Sequence, residues 1–232
     1  TGTNNIAMGD QALYKLESGS NNVAIGMDAG RCMTTKSNVT AIGVLAACRS
    51  NPNGGGVFVG YMAGRGAAST NSGFYSTFVG TYAGCNNTSG QSNVFVGSHA
   101  GKCNCGGNSN TFVGTEAGMC ATSGSHCFNV YIGCGAGLKQ TDGQRNILIG
   151  CRAAAPVLDG SDQLAISGGG TSGDGPEIHF LVGCCNGGCV NVAIGTTRPN
   201  DAVGAGLTSK LSVGIVSAYQ LYGDGSNLTN LP

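Results

Sequence analysis

Short apolar runs of about three residues recur along the chain, each closed by a glycine and, in most copies, opened by an asparagine. Asn22-Val-Ala-Ile-Gly26 is an early copy, Asn110-Thr-Phe-Val-Gly114 a middle copy and Asn146-Ile-Leu-Ile-Gly150 a late one. An Ala-Gly pair often begins three positions after the closing glycine. Runs this short, rich in β-branched residues and ended by glycine, predict short strands joined by tight turns.

The spacing of the closing glycines is nearly constant. They lie at positions 9, 26, 43, 60, 80, 97, 114, 133 and 150, so that successive steps are 17, 17, 17, 20, 17, 17, 19 and 17 residues. A unit of this size is too short for a pair of helices and cannot bury a core alone, so successive units must stack. The sequence therefore predicts an all-β fold over residues 1–167, a repetitive β-helix or β-roll with about 17 residues in each coil.

Stacked coils place equivalent residues directly above one another, at a spacing of about 4.8 Å. Asn5 with Asn22, and Asn93 with Asn110, are such equivalent residues. They predict ladders of side-chain amides along the axis. The closing glycine predicts a backbone with positive φ or a close contact between coils.

The two faces of each strand are assigned from the alternation of side chains along a strand. Counting from the closing glycine, we predict that positions −3 and −1, such as Val23 and Ile25, fill the interior. Position −2 then faces outward, although it too is apolar, and we expect an exposed stripe there to form a lateral oligomer interface. A loop of the same chain is the alternative cover. The largest members of this predicted interface are Phe58, Phe78, Phe95, Phe112, Tyr131 and Leu148.

Composition narrows the class of protein. Glycine supplies 43 residues and only 9% of residues are charged, far from the usual quarter, while 41% are hydrophobic. The 11 basic and 11 acidic residues balance, so no basic block indicates nucleic acid as a partner. No apolar run reaches the length that spans a bilayer, and membrane insertion is not expected.

Twelve cysteines are many for 232 residues. Three pairs occupy the same or adjacent positions in neighbouring coils, where the Cα separation suits a disulfide bond. We therefore predict candidate disulfides that link successive coils, with buried free thiols that act as small apolar fillers as the alternative. The pairs are Cys103 with Cys120, Cys134 with Cys151, and Cys32 with Cys48.

The period fails after the degenerate copy that ends at Ser167. A glycine-rich break, Gly168 to Gly175, follows. We predict a second region over residues 168–232, a β-rich C-terminal stalk or connector.

Several segments resemble modules of one class of fibrous protein. Asn5 to Leu13 (NIAMGDQAL), the AIGTTRP stretch at 193–199 with KLSV at 210–213, and the ending YGDGSNLTNLP at 222–232 are similar to units of tailed-bacteriophage tail fibres and related virion appendages. The heads of trimeric autotransporter adhesins are similar in their physics. The resemblance implies a parallel homotrimer at a virion surface or in the extracellular space, with other virion or filament proteins as partners.

No constellation of residues points to catalysis, a metal or a cofactor. The histidines are His99, His126 and His179, and no acidic residue is apparent near the His126-Cys127 pair to orient a base. We therefore expect a structural fibre protein and not an enzyme, with a cellular extracellular adhesin or surface filament subunit as the alternative. The insertions at about 66–75 and 121–128 are the expected places for contact with a host-surface glycan or receptor.

Overall fold

In a computed structural model of the protein, residues 2–49, 55–66, 75–155 and 157–168 are described, together with the backbone of residues 178–186 and 189–193. The described residues form twelve β-strands. In chain order these are β1 (Ile6–Met8), β2 (Val23–Ile25), β3 (Val39–Ile42), β4 (Gly56–Val59), β5 (Thr77–Val79), β6 (Val94–Val96), β7 (Thr111–Val113), β8 (Val130–Ile132), β9 (Ile147–Ile149), β10 (Gln163–Gly168), β11 (Ile178–Asn186) and β12 (Cys189–Ala193).

Strands β1 to β10 pair in parallel and in sequence order within one sheet. The pairing joins equivalent positions of successive coils, for example Ala24 with Ala41 and Phe95 with Phe112. This arrangement is a parallel β-solenoid of about nine coils with about 17 residues in each, as the period predicted. Strands β11 and β12 continue the sheet in antiparallel pairing. The rest of residues 169–232, where a stalk was predicted, lies outside the described residues.

The interior of the solenoid is built by position −2, so the predicted assignment of the two strand faces is wrong. Every residue of the predicted interface is fully buried within its own chain, at 0% exposure: Phe58, Phe78, Phe95, Phe112, Tyr131 and Leu148. Positions −3 and −1 point outward instead, and Ile147 and Ile132 are 41% and 39% exposed. Because these six side chains are already covered by their own coil, they do not form an oligomer interface.

The buried aromatic side chains form a stack along the axis. Phe78 and Phe95 have ring centroids 4.8 Å apart with an interplanar angle of 6°, and the Phe95–Phe112 and Phe112–Tyr131 pairs repeat this geometry at 4.9 Å and 4.8 Å. This separation equals the spacing of neighbouring strands, so the sheet itself holds the rings in contact. A three-residue strand points only one side chain inward, so each of these coils contributes a single ring to the stack.

The residue that faces each ring from the opposite wall of the coil has no side chain. Position +4 is glycine in each of the five coils with an aromatic residue at −2, and a Cβ on Gly101 would lie only 2.5 Å from Cδ2 of Phe95. In the first coil, where position −2 is Ala7, Leu13 occupies +4 with a φ of 53°. In this coil, the larger residue at +4 replaces the volume that is missing at −2. In the second coil, where Ala24 is combined with Gly30, the side chains of Leu13 and Met33 fill the space beside the glycine.

The predicted asparagine ladder is present at position −4. The backbone N–H of Asn129 donates to Oδ1 of Asn110 at 3.0 Å, and that of Asn146 donates to Oδ1 of Asn129 at 2.8 Å. The Asn22 amide also donates to Oδ1 of Asn5 at 3.1 Å. Between Asn93 and Asn110, a backbone N–H replaces the amide as the donor, at 2.9 Å. These buried bonds fix the axial register of successive coils.

The closing glycines confirm the predicted close contact between coils. Their φ angles lie between 124° and 134°. A Cβ on Gly97 would meet the carbonyl oxygen of Gly114 at 2.4 Å, so backbone packs directly on backbone in this column.

Candidate interaction surface

The outer face of the parallel sheet carries two rows of side chains, at positions −3 and −1. None of these residues in β1 to β10 is charged. Position −3 is Ile6, Val23, Thr40, Val57, Thr77, Val94, Thr111, Val130, Ile147 and Leu164, and position −1 is Met8, Ile25, Ile42, Val59, Val79, Val96, Val113, Ile132, Ile149 and Ile166. We call these two rows the outer stripe. A sheet face in contact with water usually carries polar residues, so the outer stripe is unusual for an isolated chain.

The size of the outer stripe follows from strand geometry. Ten parallel strands spaced at about 4.8 Å extend roughly 43 Å, and two side-chain rows cover a width of about 10 Å. The resulting area of about 400 Å² is within the range of the largest apolar patches on monomeric proteins, which are often functional. The stripe is therefore large enough to act as an interface.

A column of aromatic side chains lies on another surface of the solenoid. The rings of Tyr61 and Tyr82 meet edge to face at 5.3 Å, and Tyr82 stacks on His99 at 5.1 Å. Nζ of Lys102 lies 5.5 Å from the centre of the Tyr82 ring. Oγ of Ser98 is 2.9 Å from Nδ1 of His99. These contacts join neighbouring coils along the column, and Tyr61 is 41% exposed.

The predicted disulfides are absent: the nine cysteines whose side chains are described are free thiols, including Cys103, Cys120, Cys134, Cys151, Cys32 and Cys48. Of these six, only Cys48 is buried, as the alternative of apolar fillers expected; Cys85, outside the predicted pairs, is buried as well. Burial raises the pKa of both thiols. Cys134 and Cys151 are exposed at the same position of consecutive coils.

The thiols are expected to differ in reactivity toward iodoacetamide. Cys134 and Cys151 should be alkylated first, because they are open to solvent, whereas Cys48 and Cys85 are shielded and carry a smaller thiolate fraction. Timed labelling of the reduced chain followed by peptide mass spectrometry measures the order, and labelling in denaturant provides the control. Equal rates for Cys48 and Cys134 in the folded chain would contradict the described burial.

The second insertion lies within the described residues. Thr122, Gly124 and Ser125 are exposed, and Oγ of Ser123 is 2.9 Å from Oγ of Ser125. Phe128, at the end of the insertion, is 57% exposed. The first insertion falls largely on residues 67–74, outside the described residues. Binding of a glycan or receptor at either insertion stays a prediction.

His126 and Cys127 do not form a nucleophile–base pair. The imidazole is fully buried, with ring centroids 5.9 Å from Phe112 and 5.6 Å from Tyr131. The Cys127 thiol instead lies 3.3 Å from the backbone nitrogen of Asn108. Burial lowers the pKa of His126 to about 4, and the backbone of Asp142 and the carboxylates of Asp142 and Asp159 oppose this shift.

Within the described ranges, His, Cys, Asp and Glu side chains form no group of three or more that could hold a metal ion. No helix among the described residues is long and apolar enough to cross a membrane. Comparisons with known protein families, with curated proteins and with solved structures find no match. The class of the protein is therefore set by its architecture: it is a parallel β-solenoid with 17-residue coils.

Proposed function

We propose that the protein is a structural fibre segment in which three parallel copies associate through the outer stripe. The uncharged, apolar outer stripe, which runs the full length of the parallel sheet, is the observation that supports this function. The resemblance to tail-fibre and appendage repeats supports a location at a virion surface or in the extracellular space. Contact with host-surface glycans or receptors belongs, in this proposal, to the exposed insertions.

A solenoid of this kind is suited to serve as a rigid rod. Successive coils contact each other through strand hydrogen bonds and asparagine side chains, and the middle coils also through the aromatic stack, so the rod is held together along its axis by contacts between neighbours. Such a rod has an interior that extends along its axis, and it needs no flexible joint in the stacked region.

The choice of three copies comes from the resemblance to tail-fibre repeats. The outer stripe offers about 400 Å² per copy, and each copy would bury the same area in a dimer as in a trimer. Side chains branched at Cβ have few rotamers, so they lose little entropy when such a face is covered.

Charge placed on the outer stripe is expected to separate the copies. The double variant Val96→Lys/Val113→Lys adds two like charges to each copy, and their burial without partners costs several kcal/mol. Native mass spectrometry and light scattering should show three chains for the unchanged protein and a single chain for this variant.

A matched control places the same charges elsewhere on the rod. Thr81 and Thr115 are exposed at position +1, outside the outer stripe, so Thr81→Lys/Thr115→Lys should leave the three-chain mass unchanged. The proposal fails if the unchanged protein is a monomer at micromolar concentration, or if both variants dissociate alike.

A further inference from the structure

In the coil that carries the second insertion, the larger residue moves from one of two facing positions to the other. In the preceding two coils, Asn87 and Asn104 occupy position +7, and their amides donate to the carbonyl groups of Gly90 and Gly107 at 2.8 Å and 2.9 Å. These glycines lie seven residues before their closing glycine. In the insertion coil, position +7 is Ala121.

The position of the glycine is taken by His126 in that coil. The Asn110 amide donates to the His126 carbonyl at 2.6 Å, as the Asn93 amide donates to the Gly107 carbonyl at 2.8 Å. A Cβ on Gly107 would lie 2.5 Å from Oδ1 of Asn104, so a side chain at this position points toward position +7. The imidazole of His126 therefore enters the space that the short side chain of Ala121 leaves.

Five polar atoms in this part of the interior are buried and make no hydrogen bond of good geometry with the described residues, although the Asp142 backbone lies near the His126 imidazole and the Asn146 side chain near the Tyr131 hydroxyl. They are Oδ1 of Asn104, both ring nitrogens of His126, the hydroxyl of Tyr131 and Nε2 of Gln140. The Asn104 amide still donates to Oδ1 of Asn87 at 3.1 Å, so the polar column at +7 is continuous up to Asn104 and is interrupted at the insertion coil. Gln140 resumes position +7 in the following coil.

The unpartnered atoms are chemically complementary. Oδ1 of Asn104 is an acceptor, Nε2 of Gln140 is a donor, and a neutral imidazole offers one of each. Leaving several such groups of one site unpaired costs free energy that folded proteins rarely tolerate, and buried polar groups are nearly always hydrogen-bonded to protein or water.

Direct bonds between successive coils are possible in this column, because Asn104 and Asn87 bond at 3.1 Å. His126 makes no such bond to Asn104 or Gln140. A water molecule with two hydrogen bonds of about 2.8 Å at a tetrahedral angle joins polar atoms roughly 4.5 Å apart, so it can pair groups that do not meet directly.

We propose that the interior beside the second insertion is a water-binding site, in which ordered water molecules join Asn104 to the His126 imidazole, and the imidazole to Gln140 and the Tyr131 hydroxyl. The ligand is neutral and very small, since the surrounding Phe112 and Tyr131 rings leave an apolar wall. The water continues the polar column across the coil in which Ala121 replaces asparagine.

A high-resolution crystal structure of the full chain at neutral pH tests the proposal. We expect a water peak within hydrogen-bonding distance of both Oδ1 of Asn104 and a ring nitrogen of His126. In solution, rotating-frame Overhauser transfer from water to the ring protons of His126 should be detectable. Direct bonds from His126 to Asn104 or Gln140, with no water peak between them, would overturn the proposal.

A matched variant restores the residue types of the preceding coil. Ala121→Asn/His126→Gly is expected to fold and to lack the water peak, because an amide at position +7 then bonds directly to its neighbours. A peak that persists in the same place in this variant would show that the imidazole is not a partner of the water. If this variant does not fold, the water-to-imidazole transfer in the unchanged chain decides alone.

Discussion

Between pH 7 and pH 4 the chain is expected to lose about 3 kcal/mol of its free energy of unfolding through His126 alone. Burial lowers the pKa of this imidazole from 6.5 to about 4 in the folded chain. The unfolded chain therefore binds a proton that the folded chain does not, and each unit of pKa difference is worth about 1.4 kcal/mol. This stability is fully present above pH 6.5 and is lost as the pH falls toward 4.

Denaturant titrations at a series of pH values between 4 and 7 measure this loss. His126→Phe removes the titrating group but keeps a flat ring against the edges or faces of Phe112 and Tyr131, so its stability should change much less over the same range. His99→Phe is the control, because His99 lies on the surface column and should leave the pH dependence in place. An identical pH dependence in the His126→Phe variant and in the unchanged chain would contradict the assignment.

Truncation of one ring in the aromatic stack is expected to cost still more. Phe95→Ala removes a fully buried ring with neighbours at 4.8 Å and 4.9 Å, and we expect a loss of about 3–5 kcal/mol. Gly101→Leu should also destabilise the chain by about 3 kcal/mol or more, because its side chain would collide with the Phe95 ring at a position with a φ of 56°.

The double variant Phe95→Ala/Gly101→Leu should be more stable than the sum of the two losses predicts. It reproduces the first coil, in which Ala7 at −2 is combined with Leu13 at +4. We expect a favourable coupling energy of about 1–3 kcal/mol from a double-mutant cycle in denaturant. Additive losses would show that the two walls of the coil do not compensate each other.

The coil itself was predictable from the sequence because its main constraints repeat. The 17-residue step, the closing glycine and the asparagine at −4 each recur often enough to be read without a structure. Each of these repeated residues is required by contacts within one coil or with its neighbour. Gly97 has a positive φ and packs against the backbone of the next coil, and Oδ1 of Asn110 accepts a hydrogen bond from the next coil. The predicted β-helix and asparagine ladder are confirmed for this reason.

The direction in which each strand faces was not predictable from apolar character, because both faces are apolar. The distinguishing signal lay in another part of the coil. Every aromatic residue at −2 is accompanied by glycine at +4, as for Phe95 and Gly101, while alanine at −2 is found with Leu13, Gly30 or Ala47 at +4. Asn110 at −4 also shares the parity of Phe112 at −2, and a buried amide ladder belongs to the same face as the core.

The interior of the insertion coil depends on an exchange that no period reveals. His126 lies in an irregular stretch, and the sequence predicts a loop residue there. The two extra residues of that unit instead place it opposite Ala121 and inside the solenoid. The cysteine pairs are a similar case. Their spacing in the sequence predicts that they occupy neighbouring coils, but whether each thiol is buried or exposed depends on the path of the chain between strands.

The stacked closing glycines have a consequence for how such a chain changes over generations. Gly97 and Gly114 occupy the same position in successive coils. Loss of residues 98–114 would therefore join Gly97 to Thr115 and bring Phe95 next to Tyr131, so that the rings would stack again. The rod would shorten by about 4.8 Å, one strand spacing, and every remaining contact would find its usual counterpart. Duplication or deletion of whole 17-residue units therefore changes the length of the rod in fixed steps and leaves its cross-section unchanged.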